Sequence, residues 1–330
     1  MAVHLHEEDL PADVRFADGP IAVDTEAMGL VPGRDRLCLV QLSDGKGDEH
    51  LVRFARGSAY SAPNLKALLG DSARLKLYHF ARFDIGIMSA YLGIMAAPLY
   101  CTRTASRLIR TYTDRHGLKE LVKELLNIDL SKQQQTSDWG APELSDAQRE
   151  YAASDVRYLH QLKEKLDERL VREDRTELAQ ACFEFLPTRA LLEDPDRLKL
   201  YHFARFDVGI IQAYLGITAA PLYCTRTASR LVRTYTDRHG LKDLVKELLG
   251  IEISKQQQTS DWGAGELSDA QREYAASDVR YLHQLKDKLD ERLEREDRVS
   301  LAQACFEFLP ARALLDIAGW AEQDIFAHDG

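Results

Sequence analysis

Apolar residues come in short unbroken runs near the start of the chain and in helical periods further along. Ile21–Glu26, Leu37–Ser43 and Glu49–Phe54 are such runs, separated by Gly- and Asp-containing turns, and they predict three strands in an antiparallel meander. Pro63–Leu69 reads as a helix, and Leu75–Phe80 as a strand feeding a helix from about Arg82 to Leu92. Apolar positions recurring at three- and four-residue steps predict further helices at about Arg103–Thr111, Leu118–Leu126, Ser145–Leu170 and Thr176–Leu186. Ser145 and Gln148 stand at capping-box spacing at the start of the longest of these. The elements sum to a mixed α/β sheet flanked by helices.

The pattern then repeats. Residues Arg74 to Leu192 align without a gap with Arg197 to Leu315, and most aligned positions are identical. The differences are mild, such as Ile85 against Val208, Ile109 against Val232 and Glu120 against Asp243. So long a period is no solenoid and reads as a duplicated portion of a domain. Ala-Leu-Leu occurs at Ala67, at Ala190 and at Ala313, which marks an unequal fusion of two near-identical copies at that tripeptide. On this reading residues 1–192 form one domain without its own C-terminal tail. Residues 193–330 form a partial duplicate that carries the tail and lacks any counterpart of residues 1–66.

With 330 residues and a net charge of −10, the chain is expected to be a soluble globular protein and not one that tracks long nucleic acid on a basic face. A short oligonucleotide remains compatible, because a bound metal ion supplies positive charge that the side chains lack. The N-terminal residues show no basic segment followed by an apolar one, and no apolar run approaches spanning length. No export and no membrane insertion are expected. Cys38, Cys101, Cys182, Cys224 and Cys305 lack paired spacing, so they are expected to be reduced, small core residues of a cytoplasmic protein.

Three acidic motifs carry the candidate chemistry. Side chains alternate along a strand, so Asp24 and Glu26 share one face of the first apolar run while Thr25 points to the other. Two carboxylates so placed are half of a site for a hard divalent cation, although they also suit the end of a strand before a turn at Gly29. Asp84 falls in the first turn of a helix, where the helix dipole alone also favours a negative charge. Asp155 shares a helix face with Tyr151, Leu159, Leu162 and Leu166. A carboxylate interrupting an apolar face needs a partner, either an arginine or a metal ion.

Together, and in this order, the motifs resemble those of the DEDD superfamily of 3′–5′ exonucleases, in its RNase D-like DEDDy branch. Asp24-Thr25-Glu26 matches the first motif, His79 to Asp84 the second, and Tyr151 to Asp155 the third. The stretch Leu130 to Trp139 also looks like the RNase D segment that precedes the third motif. The likeness covers roughly residues 10 to 192 plus the tail from Ile317 to Phe326. It is nearest to the compact NrnC-type oligoribonucleases, which Thr111 to Lys119 and the Gly319-Trp320-Ala321-Glu322 tail resemble in particular.

The resemblance implies a ribonuclease H-like (DnaQ-like) exonuclease fold followed by a partial second copy. It also implies two-metal hydrolysis of short single-stranded RNA or dinucleotides to nucleoside 5′-monophosphates, in a protein that self-associates. Asp24, Glu26 and Asp155 would hold one Mg²⁺ or Mn²⁺, Asp24 would bridge to a second ion, and Asp84 would assist through water. Tyr151 would orient the attacking water. Thr25, Leu30 and His79 would touch substrate, Leu30 as a wedge between bases. Leu30 equally suits a turn residue closing onto the core, and His79 a structural histidine. Arg115, His116 and Lys132 suit either a phosphate contact or a solvated loop. Asp207, Tyr274 and Asp278 are the second copy's equivalents of Asp84, Tyr151 and Asp155, expected to be silent because nothing there replaces Asp24 and Glu26. A noncatalytic nucleic-acid-binding or scaffold protein with an inactivated exonuclease fold is the alternative class.

Overall fold

The computed structural model describes residues 2–131, 133–254, 256–322 and 325. Lys132, read from the sequence as either a phosphate contact or a solvated loop charge, and the end of the tail therefore lie outside the described residues. The chain divides into two compact units, Met1–Leu191 and Leu192–Gly330.

The first unit is built on a six-stranded mixed sheet in the order β1-β4-β3-β2-β5-β6. Its strands are β1 (Val3–Glu7), β2 (Ile21–Ala27), β3 (Leu37–Ser43), β4 (Glu49–Arg53), β5 (Lys76–Tyr78) and β6 (Leu99–Cys101). The β2-β3-β4 meander is antiparallel as its turns suggested. The β1/β4, β2/β5 and β5/β6 pairs are parallel. β3 is buried along its whole length, which is why it reads as a continuous apolar run. β1 and β6 were not legible in the pattern. β1, on the sheet edge, alternates apolar residues with His4 and His6 and ends on Glu7, and β6 is three residues long.

Helices α1 (Pro63–Gly70), α2 (Ala81–Leu92), α3 (Thr102–Ile109) and α4 (Leu118–Leu126) lie close to their expected positions. The long helix expected from Ser145 to Leu170 is two helices, α5 (Asp146–Arg157) and α6 (Leu159–Arg172), broken at Tyr158. The break lets them serve different neighbours: α5 packs on β2, β3 and β4, whereas α6 packs on α3, α4 and β5. The capping box starts α5, with Ser145 Oγ accepting from the Gln148 backbone N–H and the Gln148 side chain accepting from the Ser145 N–H. α7 (Thr176–Glu193) runs past the expected end at Leu186 and through Pro187.

One register detail positions the site. β2 is bonded to β5 only at Ile21↔Lys76 and Ala22↔Leu77. β2 then continues to Ala27 while β5 ends at Tyr78 and turns into α2. The carboxylates of Asp24 and Glu26 thus stand beyond the end of the parallel pair, where the departing chain leaves a cleft. The turn itself needs Phe80 in the left-handed region at φ 78°, ψ 43°, a conformation that costs a non-glycine residue about 1 kcal/mol or more.

The second unit holds β7 (Lys199–Tyr201) and β8 (Leu222–Cys224) as a parallel pair, with α8 (Ala204–Leu215), α9 (Thr225–Val232), α10 (Leu241–Leu249), α11 (Asp269–Arg280), α12 (Leu282–Arg295) and α13 (Val299–Leu315). This is the same order of elements as β5 to α7. Among the described residues β7 pairs with β8 alone, so the side of the strand that β2 takes on β5 has no counterpart. The consequence shows on α11, where Val279 is 62% exposed while its equivalent Val156 is fully buried.

Candidate active site

Asp24 and Glu26 project from one face of β2, and α5 brings Asp155 to meet them. One carboxylate oxygen from each of the three lies within 4.8 Å of the others. Asp84, in the first turn of α2, is buried, and its Oδ1 accepts a hydrogen bond from Thr25 Oγ1 at 2.7 Å. The hydroxyl of Thr25 is therefore committed to placing Asp84. Gln41, the cross-strand partner of Asp24 on β3, donates from Nε2 to Asp24 Oδ2 at 3.3 Å. Nothing in the local pattern around Gln41 distinguishes it, and only strand pairing reveals it.

Four acids gathered in one place shift one another. Burial, then the charges of Asp84, Asp155 and Glu26, raise Asp24 well above the usual carboxylate range. Burial and the charges of Asp155 and Asp84 do the same to Glu26. Burial pushes Asp84 up to about 7, against the opposing Thr25 hydrogen bond. Asp155 rises to about 7 by burial, against a hydrogen bond from Tyr151. The same burial, with the neighbouring carboxylates, raises the Tyr151 phenol, so it stays protonated at neutral pH. An oxygen-only, convergent and self-repelling donor set fits a hard divalent cation.

Asp24, Glu26, Tyr151 and Asp155 open into a cleft of about 320 Å³. Leu30 stands on its wall and is 82% exposed, so it does not close onto the core. His79 also lines it, with Nδ1 2.9 Å from Thr102 Oγ1 and a buried Nε2 that has no partner among the described residues. Burial, then the charge of Arg103, pushes His79 down to about 3 and keeps it neutral. Phe80, Arg103 and Lys119 are lining residues that the sequence reading missed. Arg103 lies 4.5 Å from the centre of the Phe80 ring. Lys119 stood inside the Thr111–Lys119 stretch, which could have flagged it.

His116 is not at the cleft. It is buried, with Nδ1 2.8 Å from Ser106 Oγ, next to Arg110, which bonds the Arg115 carbonyl and Glu124. That buried network is neither the phosphate contact nor the solvated loop charge that the sequence offered for His116. Arg115 is likewise absent from the cleft lining. Of the cysteines, Cys38, Cys101 and Cys224 are buried while Cys182 and Cys305 are only half-buried, and all five are free.

Residues 6–171 and 174–294 match the profile of the 3′-5′ exonuclease family. The chain belongs to that family. Its mixed sheet with flanking helices is the ribonuclease H-like fold of DnaQ-type exonucleases. Among curated proteins the chain is similar to ribonuclease D of Gluconacetobacter diazotrophicus, 42% identical over 113 residues that cover 34% of this chain and 28% of that one. It is also similar to ribonuclease D of Acidiphilium cryptum, 36% identical over 162 residues covering 49% and 41% respectively. The chain thus spans less than half the length of these relatives. Among solved structures it is similar to Brucella melitensis NrnC with bound Mg²⁺, with a TM-score of 0.56 and 49% identity, covering 58% of this chain and 94% of that one. A second structure, Brucella melitensis NrnC bound to pGG, has a TM-score of 0.56 and 50% identity, covering 58% and 93%. The exonuclease family is divalent-metal dependent, in keeping with the donor set on β2 and α5.

Proposed function

We propose that the first unit hydrolyses short single-stranded RNA, dinucleotides included, from the 3′ end to nucleoside 5′-monophosphates. The observation that carries this reading is the meeting of Asp24, Glu26 and Asp155 within 4.8 Å, with Asp84 beside them, in a cleft. Short substrates are supported by the modest cleft volume, by the net charge of −10, and by the pGG bound in the NrnC structure. Asp24, Glu26 and Asp155 would hold Mg²⁺ or Mn²⁺, with Asp84 beside them. When bound, such ions supply Lewis-acid stabilisation of phosphate oxygens and a more acidic water. Tyr151 keeps its proton, so its part is to position the attacking water and Asp155; it is no general base. Leu30 holds the last two bases apart, and the neutral His79 stands on the cleft wall beside the terminal ribose.

The second unit is, on this reading, a partial duplicate without hydrolytic activity, because Asp207, Tyr274 and Asp278 have no partners equivalent to Asp24 and Glu26. Self-association is supported by the exposed apolar residues Ile210, Tyr214 and Leu215 of α8. Free cysteines and the lack, among the described residues, of a helix long and apolar enough to cross a membrane support a cytoplasmic place.

A 5′-labelled RNA dinucleotide tests the activity. Turnover is expected in Mg²⁺ and is expected to vanish in EDTA; an intact dinucleotide in both would overturn the reading. A second expectation concerns the metal-free protein. Asp84 and Asp155 titrate near 7 when folded and near 4 when unfolded, so between those values the folded state binds more protons and stability falls as pH rises. In EDTA the melting temperature should drop from pH 5 to pH 7.5, and millimolar Mg²⁺ should restore it at the upper end by binding only the folded state. A melting temperature indifferent to Mg²⁺ at pH 7.5 would count against the metal site.

A further inference from the structure

A cleft in the second unit repeats the substrate side of the first unit's cleft residue for residue. At about 650 Å³ it is twice the size of its counterpart. His202, Phe203, Arg226, Lys242 and Gln258 line it where His79, Phe80, Arg103, Lys119 and Gln135 line the other. The local geometry is also kept. His202 Nδ1 is 2.9 Å from Thr225 Oγ1, Phe203 has φ 73°, and Arg226 lies 4.4 Å from the centre of the Phe203 ring. A guanidinium held over a ring face keeps its in-plane N–H edges free for an anionic oxygen.

Charge is where the two clefts part. The first gathers Asp24, Glu26 and Asp155, with Asp84 behind, against Arg103 and Lys119, so an anion enters it only with metal present. Among the described residues, the second faces Arg226 and Lys242 with Asp207 and Asp278, two cations to two carboxylates. Among the described residues no strand takes the side of β7 that β2 takes on β5, and the cleft is walled by Leu200, Ile211, Val279 and Leu282. An apolar wall beside a pair of cations suits a nucleobase with its phosphate.

We propose that this second cleft binds short phosphorylated single-stranded oligonucleotides without metal and without hydrolysing them. The chain then holds one hydrolytic cleft and one that only retains substrate. The inference rests on reading the first cleft as an oligonucleotide cleft, since the second is recognised by its likeness to it.

Calorimetric titration of the full chain in EDTA with a 5′-phosphorylated RNA dinucleotide tests it, with a nucleoside 5′-monophosphate and inorganic phosphate as separate arms. Binding of the dinucleotide at one site per chain is expected, tighter than the monophosphate, with inorganic phosphate the weakest. Arg226→Ala with Lys242→Ala should weaken it about tenfold or more, and Lys242→Gln alone, which leaves the Arg226–Phe203 stack in place, by roughly threefold. Arg103→Ala with Lys119→Ala should leave the EDTA affinity within about twofold of the parent. No binding in EDTA would overturn the proposal, and so would loss of binding in the Arg103/Lys119 pair instead, or equal affinity for inorganic phosphate. Hydrolysis is read in Mg²⁺ and this binding in EDTA, so an inactive first cleft and an empty second one give different results.

Discussion

Asp155→Asn is expected to lower hydrolysis of an RNA dinucleotide by on the order of 10³-fold or more, equivalent to about 4 kcal/mol or more of barrier. Asparagine keeps the shape of the side chain, so α5 should still pack on the sheet and the Ser145 cap should be untouched. What goes is one of three converging charges. In the metal-free protein that loss relieves repulsion: Asp155 raises both Asp24 and Glu26 by its charge, so the variant should melt no lower than the parent at pH 7.5. The rise in melting temperature on adding Mg²⁺ should shrink at the same time. A purely structural residue would show the opposite pattern, with lower stability and an unchanged response to metal. Near-normal turnover would end the assignment of Asp155 as a ligand.

The second large effect separates the two copies. Asp84→Ala should abolish turnover, whereas Asp207→Ala should leave most of it. The two residues occupy the same position of the same helix sequence pattern, but only Asp84 has β2 above it, with the Thr25 hydroxyl at 2.7 Å. Loop closure alone barely chooses between the copies. Tripling the chain between Glu26 and its partner costs only about 1 kcal/mol by the logarithmic rule. The stronger bias comes from order of synthesis, since the first copy emerges beside its own strands and folds before the second exists. In the structure β2 is hydrogen-bonded to β5. Activity lost in Asp207→Ala and kept in Asp84→Ala would mean that in solution the first motif serves the other copy.

Periodicity placed the meander, α1 to α4 and the start of α5 because each is long enough, or well enough capped, for a local signal to stand out. It failed where local signal was short or shared. β6 has three residues, and β1 carries His4 and His6 at alternate positions and ends on Glu7, as an edge strand can. The break at Tyr158 is invisible locally because Leu159, Leu162 and Leu166 continue the helical period across it. Only the separate packing partners of α5 and α6 make the bend.

By itself the sequence determined the order of the three acidic motifs, the shared face of Asp24 and Glu26, and the duplication that leaves one first motif for two second and third motifs. Those are properties of residue type and spacing, and alternation along a strand follows from covalent geometry. Tertiary structure alone decided that β2 overlaps β5 by just two residues, so that its carboxylates overhang a cleft. It also decided that Gln41 and Thr25 steer two of the acids, that His116 belongs to a buried network, and that Arg103 and Lys119 reach the cleft. The contacts of Gln41 and Thr25 join separate strands and helices, and no period or motif encodes which strand lies beside which. That choice is made by burial of the apolar faces of the sheet against α5 and α6, and the polar contacts follow from it.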